Sequence, residues 1–192
     1  MKKLLITGFD PFGGETINPA WEAVKQLPEQ IGAYVLCKLQ IPTVFGLAAE
    51  KALAQAEAFH PDVVLCIGQA GGHSAVTPER IAINIRDGKI PDNAGFQPHG
   101  EPVAADGPAA YFATAPVNEM VAAICDAGIP SLASNSAGAF VCNDTFYTLL
   151  HHYAETETKV GFIHVPYLPE QGSPNLPLAD ITKALEAAIC TL

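Results

Sequence analysis

The strongest constraint on this chain is an alternation of patterns. Apolar, strand-like runs near residues 3–8, 34–41, 62–68, 80–86, 130–135 and 160–165 are interleaved with helical patterns near 18–27, 44–59, 116–127, 142–154 and 178–190. Strand and helix taken in turn are the order of an α/β fold. The helix ends are marked as well. Asn18 can cap a helix with Pro19 at its first position, and Gly128 closes the helix that ends at Asp126-Ala127. At 192 residues and 49% hydrophobic content the chain can fill one core, and no linker, repeat or composition break divides it, so a single domain over 1–192 is expected. The Gly- and Pro-rich stretch 87–110 lacks periodicity and is longer than a connection needs. It reads as an excursion that covers a site or serves a subunit contact.

Charge and cysteine usage narrow the function. A net charge of −10 opposes binding to nucleic-acid backbones, which need a basic face. No apolar run reaches the length of about 18 residues that a membrane span needs. Met1-Lys2-Lys3 leads straight into Leu4-Leu5-Ile6-Thr7-Gly8, too short for a signal h-region. Five cysteines, an odd number spread along the chain, do not form a disulfide framework, so the cytoplasm is the expected compartment. No CxxC, HxxxH or HExxH spacing occurs, and no zinc site or other cofactor is expected.

Among the cysteines, Cys142 stands apart. The small-residue run Ser134-Asn135-Ser136-Ala137-Gly138-Ala139 delivers Phe140-Val141-Cys142 to the apparent start of a helix near Asn143. Free N–H groups and the positive dipole end there favour an ionised sulfur and could also hold an oxyanion. Cys37, Cys66, Cys125 and Cys190 read as small buried hydrophobes.

A nucleophilic thiol needs an imidazole, and the imidazole needs an orienting group. His164 closes the apolar run Val160-Gly161-Phe162-Ile163-His164-Val165 just before Pro166, at a strand's carboxyl end, where α/β sheets place their sites. One helix, a turn and a strand join Cys142 to His164, so the two can meet. Glu79, opening Glu79-Arg80-Ile81-Ala82-Ile83-Asn84-Ile85-Arg86, is the best-placed acid. Each residue alone has a plainer reading: buried cysteine, hydrogen-bonded core histidine, surface acid paired with Arg80 or Arg86. The remaining histidines add nothing: His151-His152 lies late in a helix, and His60, His73 and His99 sit in loops.

Two glycine-containing turns follow strands, as phosphate loops do, but lack the spacing of such loops. Gly13-Gly14 is followed by Glu15 and lacks both GxGxxG spacing and a Gly-Lys-Ser/Thr ending, and Gly68-Gln69-Ala70-Gly71-Gly72 lacks GxGxxG too. The second set, after the strand Val63–Ile67, can simply make room for close backbone approach.

Several motifs in order carry a family resemblance. They are Gly8-Phe9-Asp10-Pro11-Phe12-Gly13-Gly14-Glu15-Thr16 with Asn18-Pro19, Ile67-Gly68-Gln69-Ala70-Gly71-Gly72, Pro78-Glu79-Arg80-Ile81-Ala82-Ile83-Asn84, Ile90-Pro91-Asp92-Asn93, Phe140-Val141-Cys142-Asn143 and Phe162-Ile163-His164-Val165-Pro166-Tyr167. The chain resembles the type I pyroglutamyl peptidases, a cysteine peptidase family. The resemblance implies removal of an N-terminal 5-oxoproline from peptides, with the family's cysteine, histidine and glutamate falling on Cys142, His164 and Glu79. It implies a substrate pocket with walls from Phe9, Phe12, Phe140 and Val141, and Asn18, Thr43, Gln69 and Ile90 at or near it. Lys89 stands where the family pattern usually has an arginine near the reacting carbonyl, so Lys89 and the Cys142 N–H are the oxyanion candidates. The implied fold is a three-layer α/β/α sandwich with a mixed, twisted sheet, related to the purine nucleoside phosphorylase architecture and commonly a homotetramer. Two rival readings are a nucleosidase or phosphorylase-like hydrolase on that fold, with Glu79 on a ribose, and a non-catalytic lactam-binding module.

Overall fold

A computed structural model describes all residues, 1–192. Strand β1 (Lys2–Phe9) is followed by helix α1 (Pro19–Gln26), β2 (Gln30–Ile31), β3 (Tyr34–Ile41), α2 (Leu47–Phe59), β4 (Val63–Gln69) and β5 (Thr77–Pro78). Next come β6 (Ile81–Ile83), β7 (Arg86–Asp87), β8 (His99–Glu101), β9 (Ala110–Phe112), α3 (Val117–Asp126), α4 (Val141–His152), β10 (Lys159–Val165) and α5 (Leu178–Ile189). The main sheet has the order β2-β3-β1-β4-β10-β5. Its four long strands are parallel, while the short edges β2 and β5 pair antiparallel, which makes the sheet mixed. Every residue of β4 is buried, as expected for a central parallel strand covered on both faces.

Side chains alternate across the sheet. Leu4, Ile6, Val63, Leu65 and Ile163 enter a core shared with α1, α3 and α5. Leu5, Phe9, Val64, Cys66, Val160 and Phe162 enter a second core shared with α2 and α4. The result is the expected three-layer α/β/α sandwich. The predicted caps are in place: Asn18 Oδ1 accepts the Ala20 N–H at 3.0 Å with Pro19 at the helix start, and Gly128, at φ 83°, follows the end of α3.

Two expected strands differ. Residues 80–86 form β6 and β7 rather than one strand, because Asn84 leaves the ladder. Its side chain exchanges bonds with Ala104 in both directions, at 2.7 and 2.9 Å, and also donates to Gly107 O. β6 then pairs with β9 and β7 with β8. Residues 130–135 form no strand, only parallel bridges from Ser131 to Val76 and from Ser134 to Glu79. Backbone bonds still tie the segment to residues 76–80, from Val76 N–H to Pro130 O, Ser134 N–H to Pro78 O and Arg80 N–H to Ser134 O at 2.8–2.9 Å, and the Ser131 hydroxyl adds a bond to Val76 O at 2.8 Å, but the pairing stays as separate bridges. His99, expected in a loop, opens β8.

The excursion 87–110 is ordered around Asp92, a buried carboxylate that accepts the N–H groups of Phe45, Ala94 and Phe96 at 2.9–3.0 Å. Asn93 donates to Asp10 and Pro11 O. The segment therefore braces the turn after β1.

Candidate active site

Helix α4 begins at Val141, two residues before the expected position, which puts Cys142 second in the helix. Phe140, extended at φ −84° and ψ −166°, precedes it with no side-chain cap. The Asp144 N–H reaches back to Phe140 O at 3.1 Å, so the Cys142 N–H lies ahead of the helical ladder and has no helical acceptor. The next two residues anchor this start. Asn143 accepts the Ile83 N–H and donates to the carbonyls of Ile83 and Ile85 at 2.9–3.0 Å. Asp144, fully buried, accepts the Gly46 N–H at 2.8 Å and pairs with Arg86.

His164 arrives from β10 and is 6% exposed. Across the antiparallel edge it faces Thr77, two residues before Glu79, whose N–H donates to Phe162 O at 2.9 Å. That pairing brings Glu79 Oε1 to 2.7 Å from His164 Nδ1 inside the protein, while Glu79 Oε2 has no partner. Glu79 thus belongs to the exit of edge strand β5 rather than to the opening of a longer strand. With Nδ1 engaged, Nε2 is left free to serve the sulfur of Cys142, which lines the same cleft. Burial pushes the imidazolium down, but the Cys142 sulfur and the Glu79 carboxylate outweigh it and raise the pKa to about 10.

Gly68, opposite His164 in the ladder, explains the glycine after β4. A Cβ there would lie 3.0 Å from Cys142 Sγ and 2.8 Å from the Phe162 ring, so only glycine leaves the thiol its place. Gly71 does the same for Tyr167.

Cys142 and His164 open into a cleft of about 340 Å³, walled by Phe12 and Phe140, with Gln69, Ala70 and His73 on its rim. The Phe12 and Phe140 rings lie 6.0 Å apart, and Phe45 supports Phe140 edge-on at 5.2 Å. Two apolar ring faces with few polar groups suit a flat, uncharged ligand. One of those polar groups has a set orientation. The Leu168 N–H occupies Gln171 Oε1, so Gln171 Nε2 turns to Gln69 Oε1 at 3.0 Å and the Gln69 amide N–H remains for the cleft.

Residues 2–192 match the family described as pyroglutamyl peptidase. The pyrrolidone-carboxylate peptidase of Levilactobacillus brevis is 55% identical over 194 residues, covering 97% of this chain and 95% of that one. The crystal structure of pyroglutamyl peptidase I from Bacillus amyloliquefaciens superimposes with a TM-score of 0.96 at 46% identity, covering 99% of this chain and 94% of that one. The pyrrolidone carboxyl peptidase of Thermococcus litoralis gives a TM-score of 0.96 at 38% identity, covering 100% and 93%. The chain belongs to the pyroglutamyl peptidase family.

Within this pyroglutamyl peptidase fold the expected pocket residues divide. Phe12, Phe140 and Gln69 line the cleft. Phe9 and Val141 do not: both are buried in the core, Phe9 packing behind the site with its ring 6.3 Å from Phe162. Asn18 and Thr43 act as braces, because their side chains donate to Asp10 O at 3.0 and 3.1 Å and the Thr43 N–H meets Asp10 Oδ1 at 2.6 Å. Ile90 is partly exposed and lies near Gly13, and it is not among the residues that line the cleft. Lys89 is exposed and is not among the residues that line the cleft. Of the other cysteines only Cys66 is buried, where its surroundings push the thiol up to about 12, whereas Cys125 and Cys190 are exposed.

Sequence reasoning missed Asn143, Asp144, Arg86 and Gln171. An Asn-Asp pair opening a helix reads locally as a cap, and nothing local shows that both side chains reach to other segments. No group of three or more His, Cys, Asp or Glu side chains has metal-binding geometry, and no helix is long and apolar enough to cross a membrane.

Proposed function

We propose that this protein removes the N-terminal pyroglutamyl residue from peptides, with Cys142 as nucleophile, His164 as acid and base, and Glu79 as the group that orients His164. The observation that carries the assignment is the buried 2.7 Å bond between Glu79 Oε1 and His164 Nδ1, with Cys142 and His164 lining one cleft. The sulfur, having given its proton to His164 Nε2, attacks the pyroglutamyl carbonyl. The imidazolium protonates the departing amine as the C–N bond breaks, leaving a thioester. His164 then takes a proton from water, hydroxide adds to the thioester carbonyl, and 5-oxoproline leaves as the sulfur departs.

The Cys142 N–H, ahead of the helical ladder, is the oxyanion donor in this scheme, and one such donor contributes on the order of 3 kcal/mol. Lys89 is given no role at the carbonyl, since it is exposed and outside the cleft lining. The lactam ring lies between Phe12 and Phe140, with its carbonyl toward the Gln69 amide. A prolyl peptide lacks that carbonyl and is expected to react about 10⁴-fold more slowly. No cofactor takes part.

The ribose-binding reading of Glu79 fails on geometry, because the carboxylate is fully buried and spoken for by His164. The protein is taken to work as one domain over 1–192, as a homotetramer, in the cytoplasm. Phe112, 73% exposed on β9, offers apolar surface for subunit contact, and sedimentation velocity checks the assembly.

Release of a fluorophore from a pyroglutamyl amide under reducing conditions tests the assignment. Turnover should vanish in Cys142→Ala and after thiol alkylation. Turnover that survives in Cys142→Ala would remove Cys142 as nucleophile, and tight binding without turnover in the unaltered protein would mark a lactam-binding module instead.

A further inference from the structure

The concave surface continues beyond the Cys142 cleft. Sharing His73 with it is a second cavity, of about 410 Å³. Ser74 and Thr77 line it from the stretch that enters β5, and Leu132, Ser134 and Asn135 line it from the segment bridged to that stretch. Two of its lining residues pair with the acid–base residues. Thr77 stands opposite His164 in the ladder, and Ser134 is bridged to Glu79.

The chemistry of the lining is specific. Although the chain carries a net charge of −10, the residues of this cavity include no Asp, Glu, Lys or Arg. Its floor is small and polar, with Thr77 3% exposed and its hydroxyl without a partner. Its one large apolar side chain, Leu132, is 55% exposed.

On the reading above, the imidazole must reach the departing nitrogen. The peptide beyond the scissile bond therefore passes His164 on the side away from the Phe12 and Phe140 rings, and that side opens into this cavity. We propose that the second cavity binds the residue that follows the pyroglutamyl group, and that it favours an uncharged, apolar side chain laid against Leu132. Contacts there are remote from the reacting carbonyl, so their binding energy raises kcat/KM for longer peptides over the bare amide.

The test uses three substrates: pyroglutamamide, whose leaving group is ammonia, pyroglutamyl-leucine amide and pyroglutamyl-lysine amide. Each kcat/KM is referred to pyroglutamamide in the same protein. The unaltered enzyme should favour the leucine peptide over the lysine peptide. Leu132→Asp, at an exposed position, should lower the leucine ratio about tenfold and raise the lysine ratio. Ratios that do not move, or that fall equally for both peptides, would overturn the apolar subsite while leaving the peptidase assignment intact. Failure of the unaltered protein to cleave any of the three would overturn the peptidase assignment and the subsite together.

Discussion

The two faces of the sheet are held in different ways. The face covered by α1, α3 and α5 is almost wholly aliphatic, with Tyr34 as its buried aromatic residue. The face covered by α2 and α4 packs Phe9, Phe45, Phe146, Tyr147 and Phe162, and α4 also buries Asn143, Asp144 and Thr145. On that second face side chains bond to backbone across long separations: Asn143 to Ile83 and Ile85, Asp144 to Gly46, and Tyr147 to Pro108 O. Apolar burial is strong but non-directional, and it tolerates sliding. Hydrogen bonds fix distance and angle, which is what a sulfur and an imidazole must share. Both faces supply stability, and the second also supplies placement.

The largest expected effect on placement comes from Glu79→Gln, an isosteric change. It should lower kcat by about 10²–10⁴-fold while the fold persists. It should also show in pH dependence. His164 is raised from 6.5 to about 10 in the folded protein, so its contribution to stability is fully present below pH 6.5 and is lost as pH rises toward 10. Removing the carboxylate takes away one of the groups that hold the imidazolium, so this alkaline loss should begin at lower pH in the variant. Urea midpoints measured across that range check it, and superimposable profiles would mean that Glu79 does not act on His164.

A paired substitution probes the two faces directly. Leu185→Ala on the aliphatic face and Asp144→Ala on the other should each cost about 3 kcal/mol in urea unfolding, one by opening a cavity and the other by leaving Arg86 and the Gly46 N–H without their partner. Their activities should part. Well below the unfolding temperature Leu185→Ala should keep its kcat/KM, while Asp144→Ala should lose on the order of 10²-fold as the start of α4 loosens. Equal activity in the two variants would break the distinction between the faces.

The smallest effect is expected at Asn18→Ala, which removes the cap of α1 and should cost about 1 kcal/mol. Its kcat/KM should change little, because the side chain is spent on Ala20 and Asp10. A fall beyond about tenfold would return Asn18 to the substrate pocket.

Much of this was legible in the chain. The α/β order, five helices close to their expected bounds and the cap at Asn18 follow from relations between residues two to four apart. So does the nomination of Cys142 at a helix start and His164 at a strand end. What the tertiary structure alone decided lies at longer range. Phe9 and Phe12 are three residues apart in one motif, yet one faces the core and the other the cleft. Asn84 splits one apparent strand in two, and residues 130–135 follow a sheet edge without joining a ladder. Glu79 meets His164 across 85 residues of sequence because a two-residue edge strand turns antiparallel against β10. Periodicity records which face of an element is apolar. It does not record which other segment will satisfy a buried N–H, carbonyl or carboxylate, and that choice is made only when the layers close and water leaves.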